Sequence, residues 1–63
     1  MTDAFLRLPD VMARTSLSRR TIYRRMVEGT FPQSVKLGAN SVAWRESDVV
    51  AWMEQPAEWS AAA

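Results

Sequence analysis

Proline and glycine punctuate this 63-residue chain so closely that only short elements fit between them. The breakers are Pro9, Gly29, Pro32, Gly38 and Pro56. Ahead of the first, Phe5-Leu6-Arg7-Leu8 reads as either a brief edge strand or a lead-in packed on the core. Pro9 suits the first position of a helix, where its missing N–H costs nothing. Asp10 behind it complements the positive helix end. The stretch from Pro9 to Arg14 contributes Val11 and Met12 as apolar residues, and Thr15-Ser16-Leu17 breaks the pattern. Ser18 then serves as the N-cap of a second helix. Thr21 stands three positions on, so the full capping box with Glu or Gln is absent. This helix runs to Glu28, Gly29 ends it in the left-handed conformation, and Phe31-Pro32 forbids continuation.

Beyond Pro32 the apolar period changes from helical to two. Val35 and Leu37 alternate with Ser34 and Lys36, and Val42 and Trp44 alternate with Ala43 and Arg45. Gly38-Ala39-Asn40-Ser41 supplies turn residues between them, which predicts a β-hairpin from Ser34 to Arg45. In that hairpin Trp44 points inward and Ala43 shares the outward face with Arg45. Glu46, Ser47 and Asp48 place acceptors and negative charge at the start of a third helix. Val49, Val50, Trp52 and Met53 form its inward stripe, and Pro56 ends it. The predicted fold is α+β, mainly α: a small winged helix-turn-helix with a two-stranded wing and a C-terminal helix. It occupies residues 1–55, and residues 56–63 read as a flexible tail in which Trp59 has no assigned role.

The residues that are missing restrict the chemistry. With no Cys and no His, the commonest general base, the thiolate nucleophile and the usual zinc ligands are all absent. Ser18 has no base beside it, and the carboxylates fall at helix starts, where capping explains them. No enzyme, metal or cofactor is therefore expected. Three Trp, two Phe, one Tyr and four Met must build a core without disulfides, which fits a reducing, cytoplasmic setting. The longest apolar run, Val49 to Met53, is far too short to cross a bilayer.

Net charge is only +1, but its distribution is lopsided. Residues 1–27 carry six Arg against two acids, whereas residues 28–63 carry Lys36 and Arg45 against five acids. Between Arg14 and Val27 stand five Arg and no acid. Arginine's planar fork suits phosphate and guanine edges. On a helical wheel centred on Ile22, Met26 lies about 40° away and completes the inner stripe. Arg20 and Arg24 each lie about 160° from Ile22, with Arg19 and Tyr23 on the flank at about 60° and 100°. Ser18, Arg19, Arg20, Thr21, Tyr23 and Arg24 thus line the start and outward side of the second helix. In a helix-turn-helix that surface enters the major groove of double-stranded DNA.

Other candidates have two readings each. Arg25, about 60° to the other side of Ile22, is either a structural arginine with a packed stem or a phosphate contact. The Tyr23 ring packs while its hydroxyl donates to phosphate, or it is a half-buried packing residue. On the hairpin, Lys36, Asn40 and Ser41 suit backbone or minor-groove contact, although Asn40 is equally a turn residue tolerant of positive φ. Arg45 is placed for phosphate contact. Arg7 and Arg14 read as surface charge, and the Trp residues as core.

Five blocks in order make the chain recognisable: Leu17-Ser18-Arg19, Thr21-Ile22-Tyr23-Arg24, Phe31-Pro32, Val35-Lys36-Leu37-Gly38 and Trp44-Arg45-Glu46-Ser47. From Leu6 to Met53 the sequence resembles the AlpA-like family of phage and prophage DNA-binding regulators, within the wider excisionase-like and MerR-like winged-helix group. The resemblance implies a transcription regulator, often an activator of integrase or excision functions in a mobile element, or an excisionase itself. Ser16 stands where such proteins often have Gly, so the turn must tolerate a side chain. Arg25 stands where many members are apolar.

Two classes of function follow. One is sequence-specific DNA binding, with RNA polymerase or an integrase as further partners. The other is a protein-interaction module, antirepressor-like, whose basic face docks on an acidic partner. For the first, the absence of a long helix after Met53 predicts a monomer in free solution. Copies would then bind head-to-tail on tandem sites, the acidic third helix (Glu46, Asp48, Glu54) of one facing the Arg-rich side of the next.

Overall fold

Two helices, a hairpin and a third helix follow one another in the computed structural model, which describes residues 3–57 and 59. A short strand β1 (Phe5–Leu6) leads into α1 (Leu8–Thr15) and α2 (Arg19–Glu28). The hairpin strands are β2 (Val35–Gly38) and β3 (Ser41–Arg45), and α3 (Glu46–Glu54) starts directly after them. Three helices and three antiparallel strands make a small α+β unit, an arrangement compatible with a helix-turn-helix domain.

The helix starts and stops have identifiable causes. α1 begins at Leu8 rather than Pro9, with Arg7 in the cap position and Pro9 second. Thr15 is its last residue instead of a break. The Thr15 hydroxyl donates to the Val11 carbonyl at 2.7 Å and accepts from the Leu17 N–H at 3.4 Å, so it serves the backbone on both sides of the turn. Ser16 takes the left-handed conformation at φ 61°, with its N–H returning to the Met12 carbonyl. α2 opens on Ser18, whose hydroxyl oxygen accepts from the Thr21 N–H at 3.2 Å. It closes on Gly29 at φ 80°, where a side chain would be strained. Gln33 adds a further stop by donating its amide to the Met26 carbonyl at 2.7 Å.

The hairpin departs from prediction in three ways. Of the two readings of Phe5-Leu6-Arg7-Leu8 the edge strand is the one formed, and it makes the expected two-stranded sheet three-stranded in the order β1-β3-β2, with Phe5 opposite Arg45 and Leu6 opposite Trp44. β3 is therefore the central strand, and α1 and α3 pack against it. Ala43, expected to face outward with Arg45, is fully buried like Trp44 next to it, on a strand paired along both edges and packed against α1 and α3. Leu37, expected inward, is 45% exposed. The register shifts between Lys36 and Gly38, which breaks the alternation on this edge strand.

Leu6, Val11, Ile22, Phe31, Trp44, Val49 and Trp52 form one core. Two indoles tie the α2–β2 connection into it. Trp44 donates its Nε1–H to the Pro32 carbonyl at 3.0 Å, and Trp52 donates to the Thr30 carbonyl at 2.9 Å. These bonds satisfy N–H groups that burial would otherwise leave without a partner. Phe31 meets Trp52 edge-on at 5.0 Å between centroids.

α3 starts differently from its prediction. Arg45 holds the cap position and provides no side-chain cap. The Ser47 N–H instead bonds to the Asp3 carboxylate at 3.2 Å, the Ser47 hydroxyl donates to the same carboxylate at 2.7 Å, and the Glu46 N–H bonds to the Ala4 carbonyl at 2.7 Å. After α3, Trp59 packs against the core and donates its N–H to the Gln55 carbonyl at 2.9 Å. Of the stretch read as a tail, residues 58 and 60–63 lie outside the described residues.

Candidate nucleic-acid interface

The rotation of α2 decides which side chains face solvent. Ile22 is fully buried and Met26, half-buried, packs against the core one turn on. With that stripe turned inward, Arg19, Arg20, Tyr23 and Arg24 are exposed. Ser18 and Thr21 occupy the helix start, where the Ser18 hydroxyl also donates to Thr21 Oγ1 at 2.9 Å. That pairing engages both side chains but is not a capping box, since Thr21 does not accept from the Ser18 N–H.

The arginines around α2 fall into two groups. Arg20 and Arg24 form no ion pair and no aromatic stack among the described residues. Arg19 lies with its guanidinium 5.9 Å from the Tyr23 ring centroid, within cation–π range. Tyr23 in turn meets the buried Trp44 edge-on at 6.4 Å and 68°. Arg25 is half-buried, its guanidinium 5.9 Å from the Trp52 ring, and its Nε is buried without a hydrogen-bond partner. Its stem is therefore packed beside Trp52. Arg14, read as surface charge, pairs with Glu46 at 2.9 Å and so ties α1 to the start of α3.

On the hairpin, Lys36 and Asn40 are exposed and Ser41 is half-buried. Arg45 stands apart from them. It lies at the other end of β3, about 13 Å along the strand from Ser41, and lines a shallow hollow with Pro32, Ser34, Asp48 and Trp59. It also lies close enough to Asp3 to act on its charge. The Asp3 carboxyl is held below its ordinary pKa of 3.8, chiefly by the Ser47 hydroxyl donating to it, with Arg45 as a smaller electrostatic contribution. Arg45 thus lies near the carboxylates of Asp3 and Asp48. Asp48 is three residues along the chain, but the approach of Asp3 was not visible locally, because it comes from the other end of the chain.

Among the described residues no cluster of acids forms a metal site, and no helix is long and apolar enough to cross a membrane. The chemistry on offer is a basic helix face on which Arg19 meets an aromatic ring and Arg20 and Arg24 do not, and a hairpin that exposes Lys36 and Asn40.

Comparison with known proteins bears on what such a face is for. A family model described as prophage CP4-57 regulatory protein (AlpA) matches residues 4–57, which include every helix and strand of the fold. Over 51 residues the chain is 51% identical to the ORF88 protein of Enterobacteria phage P4, a match spanning 81% of this chain and 58% of that protein. Over 56 residues it is 38% identical to the DNA-binding transcriptional activator AlpA of Escherichia coli strain K12, spanning 79% of this chain and 80% of the relative. No solved structure matches the chain significantly. With a family match along nearly the whole chain and a relative covered over most of its own length, the chain belongs to the AlpA family of prophage regulatory proteins.

Proposed function

We propose that this chain is a sequence-specific DNA-binding regulator of a mobile element, acting in the cytoplasm as a transcriptional activator of integrase or excision functions. The observation that carries the reading is the pair Arg20 and Arg24. Both are exposed opposite the buried Ile22 and engaged by no other described side chain. The name of the Escherichia coli relative supports the activator assignment.

In this reading α2, about 15 Å long, lies in the major groove, whose width of about 12 Å admits a helix. Arg20 and Arg24 reach base edges, where a bidentate fork on guanine gives sequence discrimination. Ser18, Arg19, Thr21 and Tyr23 line the approach to the backbone. The β2–β3 hairpin is the wing, with Lys36, Asn40 and Ser41 on the adjacent minor groove or its phosphates. Arg25 and Arg45 contribute at most phosphate contacts through their outer nitrogens. A single module of this size buries only about 600–1,000 Å² against DNA, so neighbouring copies on tandem sites supply the remaining affinity. With Glu46 engaged by Arg14, Asp48 and Glu54 are the α3 acids left for such a contact. RNA polymerase or an integrase is the further protein partner.

The test is selection of bound duplexes from a random pool, followed by titration of Arg20→Ala on the selected site. The variant should lose about 1–3 kcal/mol of affinity and relax the preference at one or two base pairs, with its melting temperature unchanged. Wild-type affinity should fall steeply with salt through counterion release. An unenriched pool, or a protein that binds an acidic polypeptide as tightly as any duplex, points instead to docking on an acidic protein.

A further inference from the structure

We propose that Tyr23 is a positioning residue: its ring, not its hydroxyl, holds the Arg19 guanidinium in place for a duplex phosphate. The inference rests on the DNA-binding reading above and adds a division of labour among the α2 arginines. It starts in the core. Trp44 is fully buried and anchored by its Nε1–H on the Pro32 carbonyl at 3.0 Å. Tyr23 stands edge-on against Trp44 at 6.4 Å and is 37% exposed, so one side of its ring is fixed and another is open. Arg19, one turn earlier, places its guanidinium 5.9 Å from that ring. Buried indole, half-exposed phenol and exposed guanidinium form a single post running from the core to the surface.

A guanidinium held this way behaves differently from Arg20 and Arg24, which have no aromatic partner among the described residues. A long side chain ordered on binding loses rotamer freedom, and that loss weakens the complex. Stacking Arg19 on Tyr23 removes much of that loss before DNA arrives. A preset charge suits a contact whose geometry is the same at every sequence, namely a phosphate. The unstacked pair, Arg20 and Arg24, suits base edges that differ from site to site. The Tyr23 hydroxyl takes no part in this, since the contacts with Trp44 and with Arg19 are both made by the ring.

Titration of a selected duplex and an unrelated duplex of equal length tests this. Arg19→Ala should weaken binding to both by about tenfold, and Tyr23→Leu by about three- to tenfold. Arg19→Ala with Tyr23→Leu should bind no more weakly than Arg19→Ala alone, because both changes remove one contact. Arg20→Ala with Tyr23→Leu should multiply the two separate losses. Tyr23→Phe should rescue what Tyr23→Leu loses. In the DNA-free protein, the δ-methylene protons of Arg19 should be shifted by the ring current, and Tyr23→Leu should abolish the shift while Tyr23→Phe keeps it. A Tyr23→Phe loss equal to that of Tyr23→Leu would make the hydroxyl the contact and overturn the inference. Multiplying losses for Arg19 and Tyr23, or unshifted Arg19 protons in the wild type, would overturn it alone. Absence of wild-type binding to either duplex overturns the DNA-binding reading and this inference with it.

Discussion

α2 and α3 are helices of similar length that begin in opposite ways. α2 is capped by the residue directly before it, Ser18, three positions from the N–H it satisfies. α3 follows Arg45, which caps nothing, and its first N–H groups are satisfied by Ala4 and Asp3, the latter 44 residues upstream. The acids of α3's first turn, Glu46 and Asp48, favour the helix dipole, but Glu46 spends its side chain on Arg14 of α1. One helix start is written in neighbouring residues. The other exists only once β1 has paired with β3 and brought the N-terminal residues alongside. The helix proposed to face DNA is therefore capped locally, whereas the start of α3 is completed by residues from the far end of the chain.

The largest effect expected from breaking this comparison lies in the stripe that sets the rotation of α2. Ile22→Ala leaves a cavity beside Val11 and Trp44 in a core with little to spare, and should destabilise the protein by about 2–5 kcal/mol. Thermal denaturation followed by circular dichroism reads this directly. An unchanged midpoint would mean that Ile22 does not set the rotation, and the outward placement of Arg20 and Arg24 would lose its basis. Next in size is Ser18→Ala, which removes the local cap and should lower stability by about 1 kcal/mol. Threonine or aspartate at position 18 should recover most of it, since either supplies an acceptor for the Thr21 N–H. A cap loss that neither recovers would assign Ser18 a role other than capping.

The same contrast explains what could be read in the sequence. Ser18, Gly29 and the Ile22–Met26 stripe act on residues within one or two turns, so local pattern located α2 and its outward arginines correctly. The turn at Ala39-Asn40 was legible for the same reason. Ala43 was not, because its strand looked like part of a two-stranded hairpin, whereas β1 and β2 flank it and α1 and α3 pack against it. Asp3, Gln33 and Trp59 were missed because their partners lie on other elements. The helical wheel set Arg25 beside the core stripe and left Arg14 as surface charge, but the partner of neither was visible. Glu46 and Trp52, both on α3, engage them, and no spacing within α1 or α2 announces that.

Ser16 offers a smaller effect, of opposite sign. It is the one described residue other than glycine with positive φ, at 61°, a conformation that strains side chains. Ser16→Gly should raise stability by about 0.5–1 kcal/mol, relief of strain outweighing the added freedom of the unfolded chain. Chemical denaturation at constant slope measures it. A loss on substitution would show that Ser16 contributes a contact worth more than its strain.

The smallest expected effect concerns Asp3, and pH sharpens it. The carboxyl is stabilised in its charged form, mainly by the hydroxyl of Ser47, so its folded pKa lies below the ordinary 3.8. A group with a lowered folded pKa adds stability above its unfolded value and loses it as pH falls through the folded one. Asp3→Asn keeps an oxygen for the Ser47 N–H but loses the charge that the hydroxyl and Arg45 favour. Wild type should therefore be slightly more stable than Asp3→Asn at neutral pH, and the gap should close as the pH drops below about 3.8. Because Asp3 is fully exposed, moderate salt should also narrow the gap by screening the Arg45 contribution. Denaturation midpoints of the two proteins between about pH 7 and pH 2.5 give the curve. A gap that stays constant across that range would mean that the Asp3 charge has no part in starting α3. The hydrogen-bonding shape that asparagine shares would then be enough, and the start of α3 would rest on the docking of β1 alone.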